Sequence, residues 1–399
     1  MNLNTLLLRA AELGASDVHL KLAQPPAIRV DGTLRYVEDW PPLSDEDLEY
    51  VLEVVTEATP RHRAIFHECG DLDISYFAPG LPRFRVNGFR QRGSVSFAFR
   101  VIPTQIPSFE ELGLPAGVER LADEQRGLVL VTGATGAGKT TTMATMLDHV
   151  NRTRRQHVVT IEDPIEVLHD DHGCIVNQRE VGLDTESFEQ ALRHVLRQDP
   201  DVILIGELRD TESAQVALQA AQSGHFVLST MHTIDAAETI GRFVELFPGS
   251  KHDQTRAVLG GVLRGVVSQR LVPRMGGGRV PAVEVMAVNS RIAELIRDNR
   301  ADEIPDAIDD GAYHGMQTIQ TALVQLVIAD LVERQDAAAA ANNRHDFEIA
   351  LDRAVKAMRR TELLEAEAPE EGRQLRQPQP QPQLDATPTP TLRPAPSQL

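Results

Sequence analysis

The sequence predicts an α/β chain in two parts: a small α+β domain over residues 1–100, then a larger domain built on a parallel sheet. Three observations carry that expectation. Residues 101–115 hold three prolines and a glycine, which marks a linker or crossover. After it, short apolar runs alternate with helical stretches, the pattern of a parallel sheet covered on both faces. Directly after the first of those runs, Gly133-Ala134-Thr135-Gly136-Ala137-Gly138-Lys139-Thr140 matches GxxxxGK[ST]. A length of 399 residues fits two or three domains.

In the first part, Leu3, Leu6, Leu7, Ala10 and Ala11 follow the spacing of an amphipathic helix that Gly14 stops. Residues 16–22 and 27–30 read as strands, with Asp31-Gly32 as a hairpin turn after the second. Residues 45–57 are helical in pattern, and 71–77, 83–89 and 94–100 return to strand-like alternation. In the second part the apolar runs 128–131, 157–161, 202–205 and 226–228 are the expected buried strands. Ser187 and Gln190 carry a capping-box signature ahead of Phe188, Ala191, Leu192, Val195 and Leu196. Asp210 is the expected N-cap of a helix through Ala214, Ala217, Leu218 and Ala221 that ends at Gly224. The domain core is placed at 116–288 and a mostly helical region at 289–368. The remaining stretch, 369–399, holds eight of the 24 prolines and reads as a disordered tail.

Composition excludes several classes. Asp plus Glu number 58 against 40 Lys plus Arg, a net charge of −18, which argues against a nucleic-acid coat. Cys69 and Cys174 are too few for a disulfide framework or a four-cysteine zinc site. Met1 to Leu13 lacks a charged n-region, and no apolar run nears the roughly 18 residues of a membrane-spanning helix. The expectation is a cytoplasmic protein that meets a membrane only through partners.

The glycine-rich loop is the strongest chemical signal. Its glycines let backbone N–H groups converge on phosphate oxygens, and the helix expected at 141–150 adds favourable partial charge. Lys139 has the reach for β- and γ-phosphates, and the Thr140 hydroxyl suits Mg²⁺. Glu162-Asp163-Pro164-Ile165-Glu166 follows the end of a second run, where ligands bind in open α/β sheets. A carboxylate there suits a metal or an attacking water, and the same residues equally suit an acidic turn with a helix cap. Val202-Ile203-Leu204-Ile205-Gly206-Glu207 resembles a Walker B strand with Gly where many NTPases carry Asp. Glu207 there suits a metal or its water shell. His232 ends the fourth run, where it suits phosphate sensing. On spacing alone a lone histidine is more often structural. His169 and His172 lack a third metal ligand. Arg83, Arg85, Arg90, Arg92 and Arg100 read either as solvated strand faces or as arginine fingers for a transferring phosphoryl group, a role that a guanidinium can also fill from a neighbouring subunit.

Taken in order, these motifs make the chain resemble the type IV pilus retraction ATPases, the twitching-motility branch of the secretion-ATPase superfamily. Further matching stretches are Ala15-Ser16-Asp17 with His19, Arg83-Phe84-Arg85-Val86-Asn87, Asn177-Gln178-Arg179-Glu180-Val181, Asp199-Pro200-Asp201 and Gly315-Met316-Gln317-Thr318. The resemblance covers residues 3 to about 355. It implies a PAS-like N-terminal domain, a RecA-like P-loop domain and a homohexameric ring with ATP between the two domains. It also implies Lys139, Thr140 and their neighbours Gly133, Thr135, Gly136, Ala137, Gly138 and Thr141 as the ATP cradle. Thr140 and Glu207 become the Mg²⁺ residues and Glu166 the general base. His232 becomes the His-box residue, and Arg85 and Arg100, with Arg92 behind them, the phosphate-directed arginines. The implied partners are an inner-membrane pilus platform protein and a paralogous retraction ATPase.

The chain also departs from the family pattern. Ala134, Ala137 and Thr140 replace Pro, Ser and Ser in the phosphate loop, all chemically compatible. Arg291-Ile292-Ala293-Glu294-Leu295-Ile296-Arg297-Asp298 matches only the second half of the family's retraction helix. Residues 173–176 and 180–184 are closer to the accessory paralogue. Extension and type II secretion ATPases usually carry a paired Cys-X-X-Cys zinc site, which two isolated cysteines do not supply. An accessory or regulatory subunit with weak turnover is the remaining alternative.

Overall fold

The computed structural model describes residues 2–367. The proline-rich tail read at 369–399 lies outside the described residues. Packing divides the chain into two compact units, one running to Glu348 and one beginning at Ile349. Two sheets build the first.

The N-terminal sheet has six antiparallel strands: β1 (Asp17–Leu20), β2 (Ala27–Val30), β3 (Thr33–Tyr36), β4 (Asp71–Tyr76), β5 (Phe84–Gln91) and β6 (Ser94–Val101). Their spatial order is β3-β2-β1-β6-β5-β4. Asp31 and Gly32 both take left-handed backbone at the tip of the β2–β3 hairpin, as that tight turn requires. Helices Leu3–Glu12, Asp45–Val55 and Pro60–Cys69 share the core of this sheet through Leu3, Leu6, Leu7, Leu48, Leu52 and Phe66. Ser44 and Asp47 close a reciprocal capping box on the second helix. The helix at 60–69 and β3 are absent from the sequence-based expectation for a physical reason. The helix buries only Phe66, and all four β3 residues are exposed, so neither carries an apolar period.

The second sheet has seven strands: β7 (Gly127–Thr132), β8 (His157–Glu162), β9 (Ile175–Glu180), β10 (Val202–Ile205), β11 (Phe226–Met231), β12 (Leu263–Pro273) and β13 (Arg279–Ala287). The order is β13-β12-β7-β11-β10-β8-β9. Six strands run parallel, and β13 lies antiparallel on β12. This corrects the expectation of a purely parallel sheet. The short connection Arg274–Gly278 between β12 and β13 has room only for a hairpin, which joins antiparallel neighbours. Successive residues of β7 serve opposite faces. Leu128 and Leu130 pack with helices Phe188–Val195, Thr211–Gln222 and Ala236–Glu245, while Val129 and Val131 pack with Ala116–Ala122 and Lys139–Thr153.

Local signals were translated with small changes. Ser187 caps its helix through the Gln190 N–H, but the Gln190 side chain accepts from Glu186, so the expected box closes one residue earlier. Asp210 and Ser213 make a full box. The 101–115 stretch is not bare linker: it holds the helix Phe109–Leu112, and Pro107 accepts a hydrogen bond from Thr145 at 2.9 Å. Among the described residues, the region from 289 is α-helical in five segments, Ser290–Arg297, Ile304–Asp309, Ile319–Ile328, Arg334–Ala340 and Arg344–Glu367. It breaks at Gln317, which pairs with Val285 of β13.

One buried carboxylate joins several of these pieces. Glu284 of β13 is 6% exposed. It accepts from Ala236, the first residue of one helix, at 2.8 Å and from Ile319, the first of another, at 3.4 Å. Burial pushes its carboxyl up to about 7, against the two backbone hydrogen bonds and Arg270, with Asp235 adding to the rise. The folded state therefore holds this proton more tightly than the unfolded chain. Stability falls as pH rises from about 4.5 toward about 7 and is flat above. Glu284→Gln removes that slope. Between pH 5 and 8 its urea stability relative to wild type improves by on the order of 3 kcal/mol; parallel pH profiles would contradict the assignment.

Candidate functional site

The parallel strands β7, β8, β10 and β11 end at the same edge of the sheet. Each end carries one motif: the phosphate loop, the acidic turn, Gly206-Glu207 and His232. This is the edge at which ligands bind in open α/β sheets. A cleft of about 900 Å³ lies over it. Thr135, Gly136, Gly138, Lys139, Thr140, Thr141, Glu166, Glu207 and His232 all line it, and Arg85 and Arg100 line it from the N-terminal sheet. Gly133 and Ala137 are buried behind the loop surface. Arg92 sits at the tip of the β5–β6 hairpin with positive φ and is not among the lining residues. Arg90 stacks over Phe66, and Arg83 pairs with Glu180.

Gly138 caps the 15-residue helix Lys139–Thr153, whose N-terminus meets the loop. Gly133 and Gly138 both have positive φ and both back onto Gln269 of β12. A Cβ on Gly133 would lie 2.5 Å from the Gln269 carbonyl, and one on Gly138 2.8 Å from its Nε2. Gln269 is buried. Its amide donates to the Ala137 carbonyl and accepts from the Thr142 hydroxyl at 2.7 Å, so it ties both sides of the loop to the sheet. The Lys139 ammonium donates to the Gly133 and Ala134 carbonyls at 2.8 and 3.1 Å and stands 3.4 Å from His232 Nδ1. Burial pulls its pKa down, while Glu207 and Glu166 pull the other way.

The acids divide by environment. Glu162 is half-buried, holding hydrogen bonds from Thr160 at 2.6 Å and Gln178 at 3.1 Å, and loss of solvent around it raises its carboxyl. Burial also raises Asp163. Glu166 is 44% exposed and receives Arg85 Nη1 at 3.1 Å. Glu207 receives His232 Nε2 at 3.1 Å and Arg209 Nε at 2.8 Å. Arg85 also grips Asp73 through two hydrogen bonds, which hold its pKa above the usual value. Arg100 donates to Asp17 at 2.9 Å. Burial pushes the Asp17 carboxyl up, but the hydrogen bonds from Arg100 and Ser16 outweigh it and the net is down. His169 also lines the cleft, and burial lowers it to about 4, so it is neutral at physiological pH.

No cluster of three or more His, Cys, Asp or Glu residues among the described residues is arranged to hold a metal by itself. The hydroxyl of Thr140 with one carboxylate at Glu207 fits Mg²⁺, which takes one or two protein ligands and completes its shell with water and substrate phosphates. Motif spacing did not reveal Gln269, Arg209 or Glu180. The available signals were a Ser268-Gln269 pair inside an apolar run, and an Arg two residues beyond Glu207.

Residues 105–361 match the family model for type II/IV secretion system proteins. The type IV pilus retraction ATPase PilT of Pseudomonas aeruginosa is 44% identical over 337 residues, which cover 84% of this chain and 97% of the relative. PilU, a type IV pilus ATPase of the same organism, is 40% identical across 88% of this chain and 91% of its own. A twitching motility protein of Neisseria gonorrhoeae is 40% identical across 80% of this chain and 84% of its own. A crystal structure of the pilus retraction motor PilT with bound ADP superposes with a TM-score of 0.80 at 43% identity, covering 87% of this chain and 99% of that one. The chain belongs to the type II/IV secretion ATPase family, in its pilus retraction branch. Among the described residues no helix is long and apolar enough to cross a membrane.

Because Gln269 holds both the Ala137 carbonyl and the Thr142 hydroxyl, Gln269→Leu leaves a buried carbonyl without that donor. The expected cost is about 1–3 kcal/mol in urea unfolding, with weaker ADP binding by calorimetry. Unchanged values for both would remove Gln269 from the loop's support.

Proposed function

We propose that this protein is the ATP-driven motor of type IV pilus retraction, acting as a homohexamer on the cytoplasmic side of an inner-membrane platform protein. The observation that carries this reading is the convergence of Lys139, Glu166, Glu207, Arg85 and Arg100 on one cleft. PilT, a relative covered almost end to end, supplies the assignment to pilus retraction.

Lys139 and the loop amides bind the β- and γ-phosphates of ATP. Thr140 and Glu207 hold Mg²⁺, which neutralises phosphate charge when bound. His232 and Arg209 fix the Glu207 carboxylate from either side. Glu166 orients a water and takes its proton as the water oxygen bonds to the γ-phosphorus. The bond from that phosphorus to the bridging oxygen breaks, and ADP and phosphate leave. Arg85 and Arg100 balance the charge that develops on the phosphoryl oxygens. Arg85 holds Glu166 at 3.1 Å, so a γ-phosphate that attracts the guanidinium frees the base at the moment it is needed. Both arginines act from the N-terminal domain of the same chain, and hydrolysis changes how firmly that domain is held.

An accessory subunit with weak turnover is the second reading, kept by the similarity to PilU and by Arg291, which lies in the first turn of the altered helix Ser290–Arg297 and pairs with Asp310 at 2.7 Å.

Three outcomes are expected. Lys139→Ala abolishes ATP binding in equilibrium dialysis; unchanged affinity would remove the phosphate-loop assignment. Glu166→Gln keeps ATP binding and loses about 10²–10⁴-fold in kcat; normal turnover would place the base elsewhere. In a strain lacking its retraction ATPases, this gene alone restores shortening of fluorescently labelled pili. Shortening only beside a paralogue would favour the accessory reading.

A further inference from the structure

Glu180 has no part in the chemistry above, yet it is among the most enclosed carboxylates of the chain, 3% exposed at the end of edge strand β9. Its Oε2 accepts three hydrogen bonds. Two come from the N-terminal domain: Arg83 Nη2 at 2.7 Å and the Ser75 hydroxyl at 2.7 Å. The third comes from the backbone N–H of Ile165 at 3.1 Å, in the acidic turn next to Glu166. Asp184 accepts from the Glu180 N–H at 2.8 Å, and Val181 is bonded to the Glu162 carbonyl at 2.9 Å. The base of the carboxylate is thus fixed to the sheet while its tip joins two domains.

The links are not independent. Ser75 of β4 and Arg85 of β5 are cross-strand partners. One strand pair therefore reaches the same turn twice, through Ser75 and Glu180 inside and through Arg85 and Glu166 at the cleft. The inner link is buried and charge-assisted while the outer one is exposed, so the inner is the stiffer of the two. Burying Arg83 with Glu180 costs desolvation that a purely apolar contact would avoid, which makes the pair a poor device for stability alone.

We propose that Glu180 is a positioning residue: it locks the acidic turn to the N-terminal sheet, so that the place of Glu166 over the phosphate loop follows the place of that domain. The proposal rests on Glu166 being the base. When the N-terminal domain turns, the carboxylate carries Ile165 with it, and Glu166 enters or leaves the attacking position. Nucleotide binding energy in the phosphate loop is untouched by this link.

The test compares full-length wild type, Glu180→Gln, Ser75→Ala and the double variant Arg83→Met/Glu180→Gln. Glu166→Gln is measured in parallel. Each is assayed for kcat and KM for MgATP and for its melting temperature. Glu180→Gln strands a buried guanidinium and melts early; the double variant removes that charge and regains melting temperature. A positioning role predicts that kcat stays down about tenfold to a hundredfold in the double variant. It predicts KM within about twofold and a smaller kcat loss in Ser75→Ala, since only reacting-group alignment is lost. If kcat recovers together with the melting temperature, Glu180 is structural only and the proposal is overturned. If Glu166→Gln turns over normally, the base assignment fails first. If Glu166→Gln is inactive while the double variant has wild-type kcat, the positioning role alone fails.

Discussion

The site depends on one contact between domains, the guanidinium of Arg85 against the carboxylate of Glu166, 3.1 Å apart in the same chain. A phosphate cradle on a bare sheet edge binds nucleotide, but it leaves the outer oxygens of the γ-phosphate facing water. Arg85 and Arg100 of the N-terminal sheet line the cleft, and in the proposed mechanism they close that side with cations. Asp73 grips Arg85 from behind and Asp17 grips Arg100, so each guanidinium is oriented before any phosphate arrives. Preoriented charge is worth more in a partly enclosed cleft than in water, because no reorganisation is needed during the reaction.

The opposite wall is set by the sheet. Four parallel strands finish at one edge, so residues far apart in sequence meet without long loops. Gln269 and Glu284 extend the logic to β12 and β13, the strands that complete the sheet beyond the phosphate loop. One holds the loop from behind, and the other holds the first turns of two helices, one of which opens just after His232. The partners of Gln269 offset the cost of its burial, whereas burial of Glu284 outweighs the hydrogen bonds it accepts.

What was legible in the sequence follows from the same physics. The phosphate loop could be read because its backbone conformation demands glycines at fixed places, and the buried strands because they are continuous apolar runs. The acidic turn could be found but not resolved: Glu162, Asp163 and Glu166 look alike in sequence. Only burial and hydrogen bonding set them apart. Strand β12 was not recognised because Ser268, Gln269 and Arg270 interrupt its apolar pattern, and those interruptions are its contribution to the site. The five arginines of the first domain could not be sorted by spacing. Arg83 goes inward to Glu180, Arg90 covers Phe66, Arg92 turns a hairpin, and only Arg85 and Arg100 line the cleft.

The central claim is that one chain supplies both walls of its own nucleotide cleft. Mixing two inactive variants, Lys139→Ala and Arg85→Ala, tests it most directly, with differently tagged chains that co-purify to prove mixed assemblies. In such a mixture no chain owns both an intact phosphate loop and an intact Arg85. The account predicts ATP turnover no higher than the sum of the two parents. Recovery of turnover in the mixed assemblies would mean that Arg85 reaches across to a neighbour, and would contradict it.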